Sequence, residues 1–311
     1  MLKYVLKRLG YILVTLWVIV TCTFFMMKNL PGTPFDAERF SIMTPQQQER
    51  VLEMYGLNDS LPMQYVKYIK NMLKGDLGTS FTYVNQDVSK VITGRLGPSA
   101  LIGIQAVLIG LAIGLILGIL AAWKHNSGID YFTMILAVLG VSVPNFVAAL
   151  LQYYIGLKWG VLPVGFWTGW NCSVLPSIAL SFSATAMVAR FMRTEMLDVL
   201  DQDYIVTARA KGLSQMKVLM RHAVRNSILP VVTILGPIVV NLMTGSLAVE
   251  NIFSIPGIGS LFVDCIKAND YPVIMGITIF YAAFYMLIVL LVDLAYSLID
   301  PRIRLAKGKE S

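Results

Sequence analysis

Charge is what this 311-residue sequence has least of: 14% of it is Asp, Glu, Lys or Arg and 56% is hydrophobic, where a soluble globular domain carries about 25% charged residues. Cysteine is nearly as scarce. Cys22, Cys172 and Cys265 are too few for a disulfide framework and read as unpaired thiols. Two histidines, His125 and His222, leave no Cys/His cluster with metal-ligand spacing. Both fall between apolar runs, which counts against an intramembrane Ser-His hydrolase. No G-x-x-x-x-G-K-S/T sequence occurs, so the chain carries no phosphate-cradling loop of its own. Ionisable residues inside a membrane mark proton relays and ion paths. Here Glu250 lies at the outer end of one apolar run and Asp293 near the inner end of another, neither at mid-membrane, so proton-coupled secondary transport is poorly supported. The 16 Met residues are scattered, as suits gap-filling in a core rather than a soft-metal path.

What the sequence has is long apolar runs. Six reach the length of a membrane span, roughly 18 residues or more: 9–27, 100–122, 131–157, 172–189, 228–249 and 271–292. The chain therefore reads as an all-α polytopic membrane protein with six transmembrane helices. The fourth run is the weakest, diluted by Pro176 and several Ser and Thr. The first follows Lys3, Lys7 and Arg8, as a secretory signal would, but it is long for one and Met26-Met27-Lys28 offers no small-residue cleavage site, so it reads as a retained helix.

The net charge of +7 is a topology signal rather than a nucleic-acid footprint. With the N-terminus inside, inner segments take Lys3, Lys7 and Arg8, then Lys124, then seven basic residues of 190–227, then Arg302, Arg304, Lys307 and Lys309. The two short outer loops take Lys158 and Lys267 alone. By the positive-inside rule both termini are cytoplasmic. The chain divides into 1–27, a cytoplasmic N-terminus with the first helix; 28–99, an extracytoplasmic domain; 100–299, a five-helix core that includes an inner loop at 190–227; and 300–311, a cytoplasmic tail.

The outer segment carries local signals. Thr44-Pro45-Gln46-Gln47 reads as a capping box with Pro at the first helical position, and Gly56 ends that helix. Ser60 caps a second helix from about Pro62 to Leu73, ended near Gly75. Phe81-Thr82-Tyr83-Val84 reads as a short strand, followed by a short helix over 85–93.

Within the core, Gly110, Gly114 and Gly118 recur every fourth residue, a face that lets another helix approach closely. Pro144, Pro230 and Pro237 each remove a backbone donor and predict kinks. In the inner loop, Asp201 or Asp203 caps a short helix containing Ala208 and Ala210, Gly212 ends it in a left-handed cap, and Ser214 caps a second helix. In that helix Met216, Leu219, Met220 and Ala223 fall on one stripe, and Lys217, Arg221 and Arg225 on another. Such an element suits a bed of lipid headgroups or a partner's cleft equally well.

The stretch from Asp203 through Tyr204, Thr207, Ala208, Arg209, Ala210 and Lys211 to Gly212-Leu213-Ser214, then Arg221-His222-Ala223-Val224-Arg225-Asn226 and Leu229-Pro230, resembles the cytoplasmic coupling loop of bacterial ABC importer permeases. More narrowly it is similar to the dipeptide and oligopeptide branch, nearest to B-type oligopeptide permease subunits. The similarity continues at Pro31-Gly32-Thr33-Pro34, Gly75-Asp76-Leu77-Gly78-Thr79-Ser80, Gly245-Ser246-Leu247-Ala248-Val249-Glu250, Phe253-Ser254, Pro256-Gly257-Ile258-Gly259, Asp270-Tyr271-Pro272, Asp293 and Asp300-Pro301-Arg302. It departs where the family's motif has Glu-Ala-Ala six residues before the glycine; here those places hold Val206-Thr207-Ala208.

The resemblance implies a type I ABC importer permease forming half of a peptide pathway in a bacterial cell membrane. It implies a second homologous permease, two cytoplasmic ATPases holding ATP and Mg, and an extracytoplasmic peptide-binding protein, with membrane lipid around the chain, no cofactor or metal in it and no catalysis by it. It assigns Asp203, Tyr204, Thr207, Ala208, Arg209, Ala210, Lys211, Gly212, Leu213, Ser214, Arg221 and His222 to ATPase coupling, and Glu250, Phe253, Pro256, Gly257 and Gly259 to the outer gate. Nickel or glutathione import by the same kind of machine, and a self-contained secondary transporter, are the alternatives.

Overall fold

The computed structural model describes residues 2–29, 40, 42–54, 56–83, 86–160, 162–165, 167–244 and 246–299. Its described residues form helices, with one isolated antiparallel bridge between Thr79 and Asp87. They fall into two compact units: Met1–Gly97 with Gly257–Phe284, and Pro98–Pro256 with Tyr285–Ser311.

The first unit opens with α1 (Leu2–Lys28), long and apolar enough over Leu6–Lys28 to cross a membrane. The capping box then forms reciprocally at α2 (Pro45–Met54). The Thr44 amide donates to Gln47 Oε1 at 2.9 Å, and the Gln47 amide donates to Thr44 Oγ1 at 3.4 Å. Gly56 follows at φ +64°, a backbone state that costs an L side chain about 1 kcal/mol or more. In α3 (Leu61–Leu73) Ser60 is the N-cap residue, yet its side chain makes no capping bond; Pro62 in the first turn supplies the fixed φ instead. α3 packs on α1: Tyr65 Oη and Thr21 Oγ1 share a 2.7 Å hydrogen bond, and Phe24 meets the Tyr65 and Tyr68 rings at 5.4 and 5.9 Å.

Two local expectations change here. Residues 81–83 bend instead of forming a strand, because the Phe81 and Thr82 amides are taken by the Asp270 carboxylate rather than by a neighbouring strand; Val84 and Asn85 lie outside the described residues. The short helix expected over 85–93 is the beginning of α4 (Val88–Trp123), which runs on through Pro98. No glycine or other stop signal precedes Gly94, and the Thr93 hydroxyl bonds back to the Ser89 carbonyl at 2.8 Å within the helix.

Val88, Val91 and Ile92 at the start of α4 pack with Ile258 and Leu261 of α11 (Ile258–Lys267) and with Val273, Ile274 and Ile277 of α12 (Tyr271–Ile299). Gly276 permits the closest approach: a Cβ there would lie 2.5 Å from Val88 Cγ1.

In the second unit the third apolar run is broken. α5 (Gly128–Ser142) and α6 (Asn145–Trp159) meet at 103° across Val143-Pro144. Pro144 has no N–H to continue the ladder, and its ring pushes Val143 into an extended conformation at ψ 120°. Among the described residues five helices are long and apolar enough to span, and a sixth only if this bent pair counts as one.

The run that looked weakest, now α7 (Val174–Leu200) with a 3-10 turn over Trp170–Ser173, is the most enclosed. Its small residues explain both facts. Ala179, Ala184, Ala186 and Ala189 are buried among neighbouring helices. The Ser173 and Ser177 hydroxyls are satisfied by Gln105 Oε1 at 2.7 and 2.8 Å. Gly110, Gly114 and Gly118 of α4 face it: Cβ atoms at the first two would lie 2.7 Å from Ala184 Cβ and Val188 Cβ, and at the third 2.6 Å from the Ala189 carbonyl oxygen. Beyond α8 (Asp203–Ala210), α9 (Arg225–Met243) holds Pro230 and Pro237 within its length, and α10 (Leu247–Ile252) follows.

Candidate functional site

The inner loop folds into a compact element. Gln202, not Asp201 or Asp203, is the N-cap residue of α8, and it makes no side-chain cap; Asp201 instead closes α7. Asp203 lies in the first turn, where a negative charge suits the helix dipole. The Thr207 hydroxyl bonds back to the Asp203 carbonyl at 3.0 Å. Gly212 adopts φ +78° with its amide on the Arg209 carbonyl at 2.9 Å, which ends the helix in the left-handed state. Ser214 precedes a single turn, Gln215–Lys217, without a side-chain cap.

From there Val218–Val224 winds as a π-helix. That winding overturns the expected stripe. Wider turns keep residues five apart on one side, so Val218, Leu219 and Ala223 are buried while Met216 and Met220 are each 52% exposed. Ile205 and Ala208 close a small core against Val218, flanked by Val199 and Leu200. The outward surface carries Tyr204, Val206, Leu213, Met216 and Met220, with Arg209, Ala210, Lys211 and Arg221 also exposed and His222 half-buried. Tyr204 Oη accepts a bond from Asn226 Nδ2 at 3.0 Å, tying α8 to the start of α9. Val206, at the place of the family's Glu, is 59% exposed.

The residues assigned to the outer gate divide between the units. In the second, Glu250 is buried and accepts a 2.7 Å hydrogen bond from Ser99 Oγ, while Phe253 meets the Tyr153 ring edge-on at 5.7 Å. Ser254 adopts φ +53°, and the Ile255 amide returns to the Glu250 carbonyl at 2.8 Å, turning the chain toward Pro256. In the first unit Gly257 is the N-cap residue of α11, and Gly259 is buried in its first turn.

Two polar constellations escaped sequence reasoning. Asp130, 2% exposed, receives Arg193 Nε at 2.5 Å, Arg193 Nη2 at 2.8 Å and the Asn126 amide at 3.0 Å, with His125 Nδ1 3.1 Å away. Its signal was a lone acid at the edge of an apolar run, opposite a basic loop. Asp270, fully buried, receives Ser80 Oγ at 2.5 Å and the Phe81 and Thr82 amides at 3.2 and 3.0 Å. Both halves of that contact were legible as motifs, but not their meeting. Cys172 and Cys265 are free and buried. Burial, reinforced by Asp270 and Asp264, pushes the Cys265 thiol up to about 12. Among the described residues no group of three His, Cys, Asp or Glu is placed to hold a metal ion.

Residues 114–305 match the family model of the binding-protein-dependent transport system inner membrane component, and residues 1–96 match the N-terminal membrane component of such systems. A dipeptide transport system permease protein of Lactococcus lactis subsp. cremoris is 46% identical over 306 residues, 98% of this chain and 100% of that one. One from Bacillus subtilis is 43% identical over 310 residues, 99% of each chain. An oligopeptide transport system permease protein of Haemophilus influenzae is 39% identical over 307 residues, 98% of this chain and 100% of that one. The crystal structure of an amino acid ABC transporter with histidines superposes with a TM-score of 0.51 at 19% identity, over 69% of this chain and 94% of that one. That likeness carries the fold alone, a type I importer permease. A multi-pass membrane chain with this fold, matched over nearly its whole length, belongs to the family of binding-protein-dependent transport system inner membrane components.

Proposed function

We propose that this chain is a pore-forming permease subunit of an ATP-driven importer of dipeptides or oligopeptides. The observation that carries the reading is its 38–46% identity, over 98% or more of its length, to permeases named for those cargoes. It forms half of the pathway, paired with a second homologous permease. Two cytoplasmic ATPases bind ATP and Mg and hydrolyse the nucleotide, and an extracytoplasmic binding protein delivers peptide. Both termini are cytoplasmic, on the distribution of basic residues.

In this reading α8 and the π-helical turn seat in the ATPase. The small core around Ile205, Ala208 and Val218 makes them one rigid body, and Val206, Leu213, Met216 and Met220 give it an apolar outer surface. Exposed apolar side chains at the end of a polar loop suit a protein cleft better than water. ATP-driven closure of the ATPases then moves this body and, through α7 and α9, the pathway. Glu250 and Phe253 lie near the outer mouth. The test is reconstitution: the permease pair with its ATPases and binding protein in proteoliposomes, supplied with labelled dipeptides, nickel and glutathione. ATP-dependent uptake of peptide alone supports the reading. Uptake of nickel or glutathione without peptide overturns the cargo, and uptake without the ATPases overturns the class.

A further inference from the structure

α3 is held at a definite depth on α1. The span Leu6–Lys28 has 23 residues, about 34 Å at 1.5 Å per residue, against a hydrocarbon core about 30 Å thick. Its Lys28 end therefore lies at or just beyond the hydrocarbon edge. Phe24 is roughly 6 Å inward of Lys28, and Thr21 roughly 10 Å. α3 meets α1 at those two levels, through Tyr65 on Thr21 and through Tyr65 and Tyr68 on Phe24. Phe25 also stacks on Tyr65 at 5.7 Å. A helix tied there lies in the boundary between acyl chains and headgroups rather than in open water.

Its exposed surface is composed accordingly. At about 100° per residue, Tyr65 and Tyr68 point to α1, Val66 and Leu73 fall on one flank, and Lys67, Lys70 and Lys74 fall on the far side. Val66 is 58% and Leu73 78% exposed, although they belong to a segment between spans. α1 likewise exposes Phe25 and Met26, at 42% and 66%. Lys67 pairs with Asp59 at 2.5 Å. Lys70 and Lys74 are exposed with no acidic partner among the described residues. An apolar flank beside a row of lysines is the pattern of an interfacial helix that beds in anionic lipid.

We propose that α3 is such a helix, seated in the leaflet where α1 ends at Lys28, with Val66 and Leu73 among the upper acyl chains and Lys70 and Lys74 on lipid phosphates. The inference needs only that α1 crosses the membrane. It goes beyond the cargo and the partner subunits and survives if either is wrong. It makes the membrane itself a partner of the outer segment.

The experiment uses the full-length permease in nanodiscs of phosphatidylcholine with phosphatidylglycerol, with the native cysteines replaced by Ser. Nitroxide labels go singly at Val66→Cys and Leu73→Cys, with Met26→Cys as lipid control and Asn71→Cys as water control. Collision with oxygen is compared with collision with a water-soluble nickel chelate. The expected result is an oxygen-to-nickel ratio at 66 or 73 at least threefold above that at 71 and approaching that at 26. A ratio equal to that at 71 at both sites overturns the proposal. So does nickel accessibility that is lost only when the binding protein is added, which would make α3 a protein-docking surface. In the Lys70→Glu/Lys74→Glu double variant the ratio at 66 should fall toward the water control; an unchanged ratio overturns the role of the lysines.

Discussion

Ser80 donates its hydroxyl hydrogen bond to Asp270 across 190 residues of sequence, and both side chains are fully buried. The same carboxylate takes the Phe81 and Thr82 amides, while Ser80 Oγ accepts the Tyr83 amide at 2.8 Å. One acid thus fixes the loop before α4 to the turn between α11 and α12. Asp270→Ala leaves a buried hydroxyl and the Phe81, Thr82 and Val273 amides without this acceptor, and should cost about 3 kcal/mol or more. Ser80→Ala removes two bonds of this network, the one to Asp270 and the one from the Tyr83 amide, and should cost about 1–3 kcal/mol. Thermal unfolding of the two variants and their combination in detergent checks this. Additive losses would mean the two side chains do not act together.

The α4–α7 contact makes a sharper demand. A Cβ at Gly114 would lie 2.9 Å from the Thr185 carbonyl oxygen as well as 2.7 Å from Val188 Cβ, and a backbone atom cannot swing away. Gly114→Ala should therefore destabilise the folded permease by about 1–3 kcal/mol. Gly94 sits in the same helix with nothing within 4 Å of its position. Gly94→Ala should be neutral or stabilising by up to about 1 kcal/mol through helix propensity. Equal melting temperatures for the two variants would contradict the close contact.

Cys265 tests burial chemically. Its thiol is raised to about 12 in the folded chain, from roughly 8.5 in an unfolded one. Near neutral pH its thiolate is scarcer by a factor of roughly three thousand, and the thiolate is the reactive form. Maleimide should leave Cys265 unlabelled until the protein is unfolded in detergent, read by mass spectrometry. The sign for stability follows: the neutral thiol is favoured in the fold, so its contribution is full below pH 8.5 and is lost as pH rises toward about 12. Rapid labelling at pH 7.5 in the native permease would contradict this.

The features written locally were the legible ones. Thr44 and Gln47 form their capping box, Gly212 takes the left-handed state, and the apolar runs are helices. What escaped depends on tertiary geometry. Pro144 promised a kink, but not that Val143 would turn the chain through 103°. Hydropathy ranked α7 last because Pro176 and several Ser and Thr dilute it, although small residues are what a central helix needs. The π-helical winding of Val218–Val224 changed which side of the inner element is buried, and an assumed 3.6-residue period could not reveal that. Asp130 with Arg193, and Ser80 with Asp270, are partners 63 and 190 residues apart; no spacing rule reaches them.

The inner element is the proposed ATPase contact, and burial decides which of its residues can be changed without unfolding it. Ala208 is 6% exposed and packed inside the chain, so Ala208→Trp would overpack the element itself, at about 1–3 kcal/mol or more, and would not isolate docking. Val206 and Met216 are 59% and 52% exposed. Val206→Arg and Met216→Asp should leave the melting temperature close to wild type, within about 0.5 kcal/mol. The most direct measurement is co-purification of the ATPases with each permease at matched expression, alongside ATP-dependent peptide uptake. Docking through this surface predicts a loss of at least tenfold in both. Full association and full uptake in both variants would contradict it.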